Sequence, residues 1–224
     1  MKLLYQDSVI ELQLYTEQIN FLCIEKHSMF RYMVLDFYEQ CNGASGPWIY
    51  NVNAKSQNIE KSIHCIMNPI QVDVNSKTVL NKLHAGLVKE ANLMTEELNS
   101  IIRALHTFYY SLEFSASLDI EHKQGISAAD LIKLGAFTIH ESTRDEISKL
   151  IDYIDIVREL LQPDIFVLVN IDVYLDSKEL ELLFKTILAK QICVLCISTT
   201  IDSIKNVDKT WINSYTLDSD FCLL

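Results

Sequence analysis

Asn170, Asp172 and Asp176 stand where an α/β protein places reactive groups. They follow the apolar run Ile165-Phe-Val-Leu-Val169, whose composition suits a strand covered on both faces in a parallel sheet. Open α/β sheets bind ligands beyond the carboxyl ends of their strands, and an acid there can hold magnesium when a triphosphate completes the octahedron. The triphosphate needs its own cradle. Residues 19–24 read as a buried strand, Glu25-Lys-His-Ser28 as a turn, and the following stretch as a helix with Phe30, Met33, Val34 and Phe37 on one face. That is the layout of a phosphate loop, but the turn has no glycine and no Gly-Lys-Ser/Thr, so its backbone cannot present a nest of amides. Lys26 and Ser28 are what remain. Without a cradle, Asp176 reads as a helix cap with Glu179 reaching back, and Asp172 as a solvated turn acid.

Hard oxygen donors gather elsewhere. Glu113, Asp119 and Glu121 flank a polar stretch between helices, and such a loop suits calcium, which tolerates irregular geometry and accepts backbone or water oxygens. Three acids are few and Lys123 stands beside them, so a solvated loop is the alternative reading. The six histidines, at 27, 64, 84, 106, 122 and 140, show no pair at metal-binding helical spacing with a matching carboxylate. No serine or cysteine has a nucleophile's context, and a non-enzyme is expected. The six cysteines, at 23, 41, 65, 193, 196 and 222, lie mostly inside apolar runs, as buried thiols of a reducing compartment do. Cys193 and Cys196 are three apart on an expected strand, face opposite ways and cannot chelate one ion together.

The elements that position these groups follow from period and caps. Residues 163–199 read as strand, helix and strand, the helix carrying the stripe Leu180, Leu183, Phe184, Ile187 and Leu188, which predicts a right-handed βαβ crossover. Residues 2–24 predict two short strands feeding a buried third, 42–62 a loop, and 63–67 another strand ended by Pro69. From Ser76 the apolar positions Leu80, Leu83, Leu87, Ala91, Met94, Leu98, Ile101, Leu105, Phe108 and Leu112 step by threes and fours. One helix of about 35 residues is expected, ~50 Å long, projecting as a leg. A brief helix from Ser127, its cap completed by Asp130, stops at Gly135. The next opens at Thr143 with Glu146 as capping partner and ends before Pro163. The tail from Trp211 adds one or two strands. The expected class is α/β, a mainly parallel sheet head (1–75 and 163–224) with an inserted helical leg (76–162).

The chain has 224 residues, is 49% hydrophobic and carries a net charge of −11. A core of good size is possible, and any contact with nucleic acid needs a local basic surface. Nowhere do eighteen apolar residues run together, and the first residues lack a signal-peptide core. A soluble, cytoplasmic protein without a membrane partner is expected.

In matching order, Ile24-Glu25 without a glycine loop, Asp73-Val-Asn-Ser76 opening the long helix, Leu118-Asp-Ile-Glu121, Leu131-Ile-Lys133 before Gly135, Phe166-Val-Leu-Val-Asn170 and Leu217-Asp-Ser-Asp-Phe221 resemble the short form of the CRISPR-associated ring protein family of type II-A systems, which serves spacer acquisition. The resemblance covers nearly the whole chain. It implies a head of degenerate P-loop-NTPase-like topology, a homotetrameric ring stabilised by calcium, and sequence-independent binding of double-stranded DNA, favouring ends, through the central hole. The CRISPR integrase complex and the type II effector nuclease are the implied partners. Lys133 matches a family lysine, and Lys123 and Lys26 complete the expected DNA contacts. Asp119 and Glu121 match acids of the family's calcium loop, whose neighbouring acids are here Ser115, Ser117, Lys123 and Gln124. A nucleotide-binding switch on the same head is the alternative function.

Overall fold

The computed structural model describes residues 1–6, 10–141, 145–205 and 207–224. Two compact units emerge, Met1–Asp73 with Ser142–Leu224, and Val74–Glu141. The first opens with β1 (Lys2–Tyr5), β2 (Glu11–Gln13), β3 (Ile19–Ile24), α1 (His27–Cys41), β4 (Trp48–Val52), β5 (Lys55–Gln57), α2 (Ile59–Ser62) and β6 (Ile63–Ile66). The second holds α3 (Lys77–Leu93), α4 (Thr95–Ser115) and α5 (Ala128–Gly135). The first resumes with α6 (Glu146–Leu160), β7 (Ile165–Val169), α7 (Ile171–Tyr174), α8 (Ser177–Ala189), β8 (Val194–Ser198) and β9 (Ile212–Leu217).

Five strands form a wholly parallel sheet in the order β6-β7-β8-β3-β9. Every residue of β3, β7 and β8 is buried, so their unbroken apolar runs are those of strands covered on both faces. On one face lie Leu22, Ile24, Val167, Leu195 and Ile197, in one core with Met33, Val34 and Phe37 of α1. The antiparallel sheet β2-β1-β4-β5 closes the same core with Leu3, Leu12, Trp48 and Tyr50. The alternate residues, Phe21, Phe166, Leu168 and Cys196, point to the other face, where α6 and α8 bury Leu150, Ile154, Val157, Leu183, Phe184 and Ile187. Cys193 belongs to the first core and Cys196 does not, the opposed placement that their spacing predicts. The buried Asn20 ties three strands together. Its amide nitrogen donates to the carbonyl of Val194 at 2.9 Å, and its oxygen accepts from Asn213 at 3.0 Å.

Several elements differ from the sequence reading. The helix Glu146–Leu160 belongs to the first unit and not to a leg over 76–162, because its stripe Ile147, Leu150, Ile154 and Val157 is buried. Tyr153 of the same helix bonds His64 of β6 at 2.9 Å. Thr143 lies outside the described residues, and the cap seen is Asp145, whose carboxylate accepts from the Ser148 amide at 2.9 Å. The stretch 42–62 holds the hairpin β4–β5, turned by Asn53 and Ala54, both at positive φ. That is the backbone of a type I′ turn, and alanine in place of the usual glycine hides it.

The single long helix is two. Met94 leaves helical geometry at ψ 58, where the Thr95 hydroxyl donates to the Asn92 carbonyl at 3.3 Å. Short polar side chains compete with helical backbone bonds in this way, and Glu96 and Glu97 favour the new amino terminus at Thr95. No helix among the described residues is long and apolar enough to cross a membrane.

Candidate functional site

The polar stretch after α4 is organised by one histidine. Glu113, in the last turn of α4, accepts on Oε1 both the backbone amide of His122 at 2.7 Å and its ring Nδ1–H at 2.6 Å. Two donors on one carboxylate oxygen stabilise its charged form, and the Glu113 carboxyl is held below the usual range, chiefly by the ring bond. The other ring nitrogen of His122, Nε2, faces Nδ1 of His106 on α4 at 2.9 Å. Tyr110 meets the His122 ring edge-on at 4.7 Å, and the Tyr109 ring lies 5.2 Å away. Tyr110 also donates its hydroxyl to Gln124 Oε1 at 2.8 Å. The loop is thereby stapled back onto the helix it leaves.

This arrangement separates the expected metal ligands. Asp119 and Glu121 are exposed, whereas Glu113 is turned to His122. No group of three or more His, Cys, Asp or Glu that could hold a metal ion is found among the described residues. The oxygen donors present do not fit a calcium ion within one chain, which takes six to eight oxygen ligands.

The expected DNA contacts are also dispersed. Lys123 is paired with Asp130 at 2.7 Å, and that pair, with the Ser127 hydroxyl, holds the Asp130 carboxyl far below its usual range. Asp130 and Ser127 make the capping box of α5 that the sequence predicts. Lys133 is exposed in the last turn of α5. Among the described residues, Lys77, Lys82, Lys89 and Lys133 are exposed and form no ion pair. Lys26 lies 4.9 Å over the ring of Phe221, a cation–π contact within the other unit.

The turn after β3 offers phosphate little. The Glu25 amide donates to the Leu217 carbonyl at 3.0 Å, so it is not free for an anion, and α1 begins without a side-chain cap. Asp172 is not a solvated turn acid. Asn170, at φ 52, turns the chain straight from β7 into α7, and this sets the Asp172 carboxylate against the end of β8. There Oδ2 accepts from the buried Ser198 hydroxyl at 2.9 Å, while Oδ1 is buried without a hydrogen-bond partner. Burial raises the nearby Cys23 thiol, and Glu25, Asp172 and Asp202 raise it further. Three carboxylates around one strand end repel a phosphate. Asp176 is the cap its spacing predicts, accepting from the amides of Lys178 and Glu179 while Glu179 returns to the Asp176 amide.

Sequence reasoning missed His106, Tyr109 and Tyr110. Their partner His122 lies sixteen residues beyond His106, a separation that no helical repeat marks. In comparisons with known proteins, residues 40–221, well over half of the chain, match the model of a family described as CRISPR-associated protein (Cas_Csn2). The turn 25–28 lies outside the match. A search of curated proteins found no match.

Proposed function

The chain belongs to the CRISPR-associated protein (Cas_Csn2) family, and on that premise we propose that it is a non-enzymatic DNA clamp: a homotetrameric ring in the cytoplasm that binds double-stranded DNA without sequence preference and supports spacer acquisition in a type II-A system. The integrase complex and the effector nuclease are its proposed partners. The observation that carries the reading is α4, a helix of 21 residues with none buried, which exposes Ile101, Phe108 and Leu112 along one face. An apolar helix face of this extent marks a protein interface, and a closed assembly of identical chains is the economical way to cover it.

An overall charge of −11 suits a clamp whose few lysines converge on one duplex while its exterior repels others. Lys133 and Lys82, exposed and unpaired, are proposed phosphate contacts, with Lys26 and Lys123 held in internal pairs. The head is read as a degenerate P-loop-like sheet, in which β3 leads through the glycine-free turn into α1 and β8 lies between β3 and the acid-bearing β7. The proposal contains no metal-dependent step.

Gel shifts at low salt on linear and covalently closed duplexes test it. Linear DNA is expected to bind with mass equal to four chains per complex. Lys133→Glu should weaken binding several-fold and reduce the salt slope by about one for each phosphate no longer neutralised. Absence of binding to linear duplex would overturn the reading. A nucleotide-binding switch is favoured by a single feature, the buried unpaired oxygen of Asp172. Tight binding of magnesium-ATP at equilibrium would select it.

A further inference from the structure

Strand β9 ends the parallel sheet and leaves part of its outer edge open beside a cavity. We propose that this edge takes an extended acidic segment of a partner protein, which adds antiparallel to β9 and seats one apolar side chain in the cavity. The proposal concerns the first unit alone and stands whether or not the chain binds DNA.

β9 stands last in the order β6-β7-β8-β3-β9, with β3 as its strand neighbour. The Glu25 amide donates to the Leu217 carbonyl at 3.0 Å, so the backbone groups of Leu217 face β3. These groups alternate along a strand; those of Asn213 and Tyr215 therefore face β3 as well, and those of Ile212, Ser214 and Thr216 face outward. Thr216 is served by the chain's own tail. Its amide donates to the Leu224 carbonyl at 3.0 Å, and the Leu224 amide donates to the Thr216 carbonyl at 2.8 Å, which makes one hydrogen-bonded pair of an antiparallel ladder. The next such pair falls at Ser214, which is exposed and whose amide and carbonyl have no hydrogen-bond partner among the described residues. The Ile212 carbonyl is open in the same way, whereas its amide donates to the Lys209 carbonyl. Natural sheets commonly guard an edge with proline, a bulge or a charged side chain. Residues 212–217 contain neither proline nor charge, and their register with β3 is unbroken.

Beside Ser214 opens a cavity of about 370 Å³ lined by Ile201, Ile204, Lys205, Lys209, Ile212 and Ser214, within the range of small-ligand sites (~300–1,000 Å³). Ile212 and Ser214 are two apart, so their side chains share one face of the sheet. A partner residue opposite Ser214 carries its side chain on that same face, over the isoleucines. Main-chain bonds then give affinity and the pocket gives selectivity, as in other cases of strand addition. Charge selects what flanks the apolar residue. Both ionisable side chains in the lining are lysines, in a chain of net charge −11. Lys205 is paired with Asp202, and Lys209 is exposed without an ion pair among the described residues. The adjacent Asp208 carboxylate is turned to the amide and hydroxyl of Thr210. An acid two residues from the seated side chain lies on the same face, within reach of Lys209.

The test is fluorescence anisotropy of a labelled peptide, acetyl-Ser-Asp-Thr-Phe-Thr-Asp-Ser-amide, titrated with the full chain. Saturable binding is expected, with slower hydrogen exchange at 212–214. Methylating the phenylalanine nitrogen removes the donor to the Ser214 carbonyl and should weaken binding about tenfold. Ser214→Pro removes the outward amide, spares the ladder to β3 and should weaken binding as much, with circular dichroism showing the sheet intact. Lys209→Glu should weaken it about fivefold. Equal binding of the parent and methylated peptides, or no saturable binding at millimolar peptide, would overturn the proposal. A Ser214 amide that is protected in the free chain and released on dilution would assign the edge to a second copy and overturn it as well.

Discussion

The two units bury their side chains very differently. In the unit of 1–73 and 142–224 a fully covered parallel sheet carries apolar cores on both faces, with Phe21, Phe166, Phe184 and Leu183 essentially inaccessible. In 74–141 only Val74, Val79 and Ala128 are buried among the described residues, and Phe114 is 94% exposed. The first unit can be stabilised by its own interior. The second draws on helix propensity, one capping box and the His122 staple, each worth about 1 kcal/mol or less. It lacks the interior that a unit of this size needs. Under the proposed function, folding falls to the first unit and association to the second.

The contrast can be broken experimentally. The largest effect is expected from Phe184→Ala, which should destabilise the first unit by about 3–5 kcal/mol in urea unfolding; a loss below about 1 kcal/mol would mean that the core is loosely packed. Next comes pH. Burial lowers the His64 pKa from 6.5 to about 4, so the folded state favours the neutral ring. Stability is full above pH 6.5 and falls as the pH drops from there toward 4, by at most about 3 kcal/mol. Urea midpoints at pH 7, 5 and 4 should show this decline, and His64→Gln should flatten it. A third, smaller effect belongs to the second unit. Ser127→Ala removes the cap of α5 and should cost about 1 kcal/mol, seen as faster hydrogen exchange in 128–135 without change in the first unit's exchange. The smallest change in unfolding is expected for Phe108→Ser, an exposed position on the apolar face of α4, within about 0.5 kcal/mol. Its effect should appear instead as a loss of oligomer mass under native conditions, and an unchanged mass would remove α4 from the interface.

Much of the local structure was legible in order of sequence. The βαβ unit 165–198, the cap Asp176 with Glu179 and the box Ser127 with Asp130 all stand as read. The break at Met94 was hidden because Asn92 and Thr95 compete only weakly with an apolar seam that continues through them. The hairpin at Asn53-Ala54 was hidden because alanine seldom adopts positive φ. The site fared worse. Glu113, Asp119 and Glu121 look equivalent in a sequence, yet one is turned inward by His122 and two face solvent.

What the sequence determined by itself was whatever depends on neighbours within about a turn or along one strand: periods, caps, buried runs and the missing glycines at 25–28. Tertiary structure decided what depends on residues brought together from afar. It placed Asp172 beneath Ser198, set Lys26 over Phe221, drew α6 onto the sheet and paired His122 with His106. Short-range rules operate through backbone geometry that every residue carries, whereas these contacts exist only after a loop has closed. Which side chain then meets which is fixed by packing, and no spacing in the chain records it.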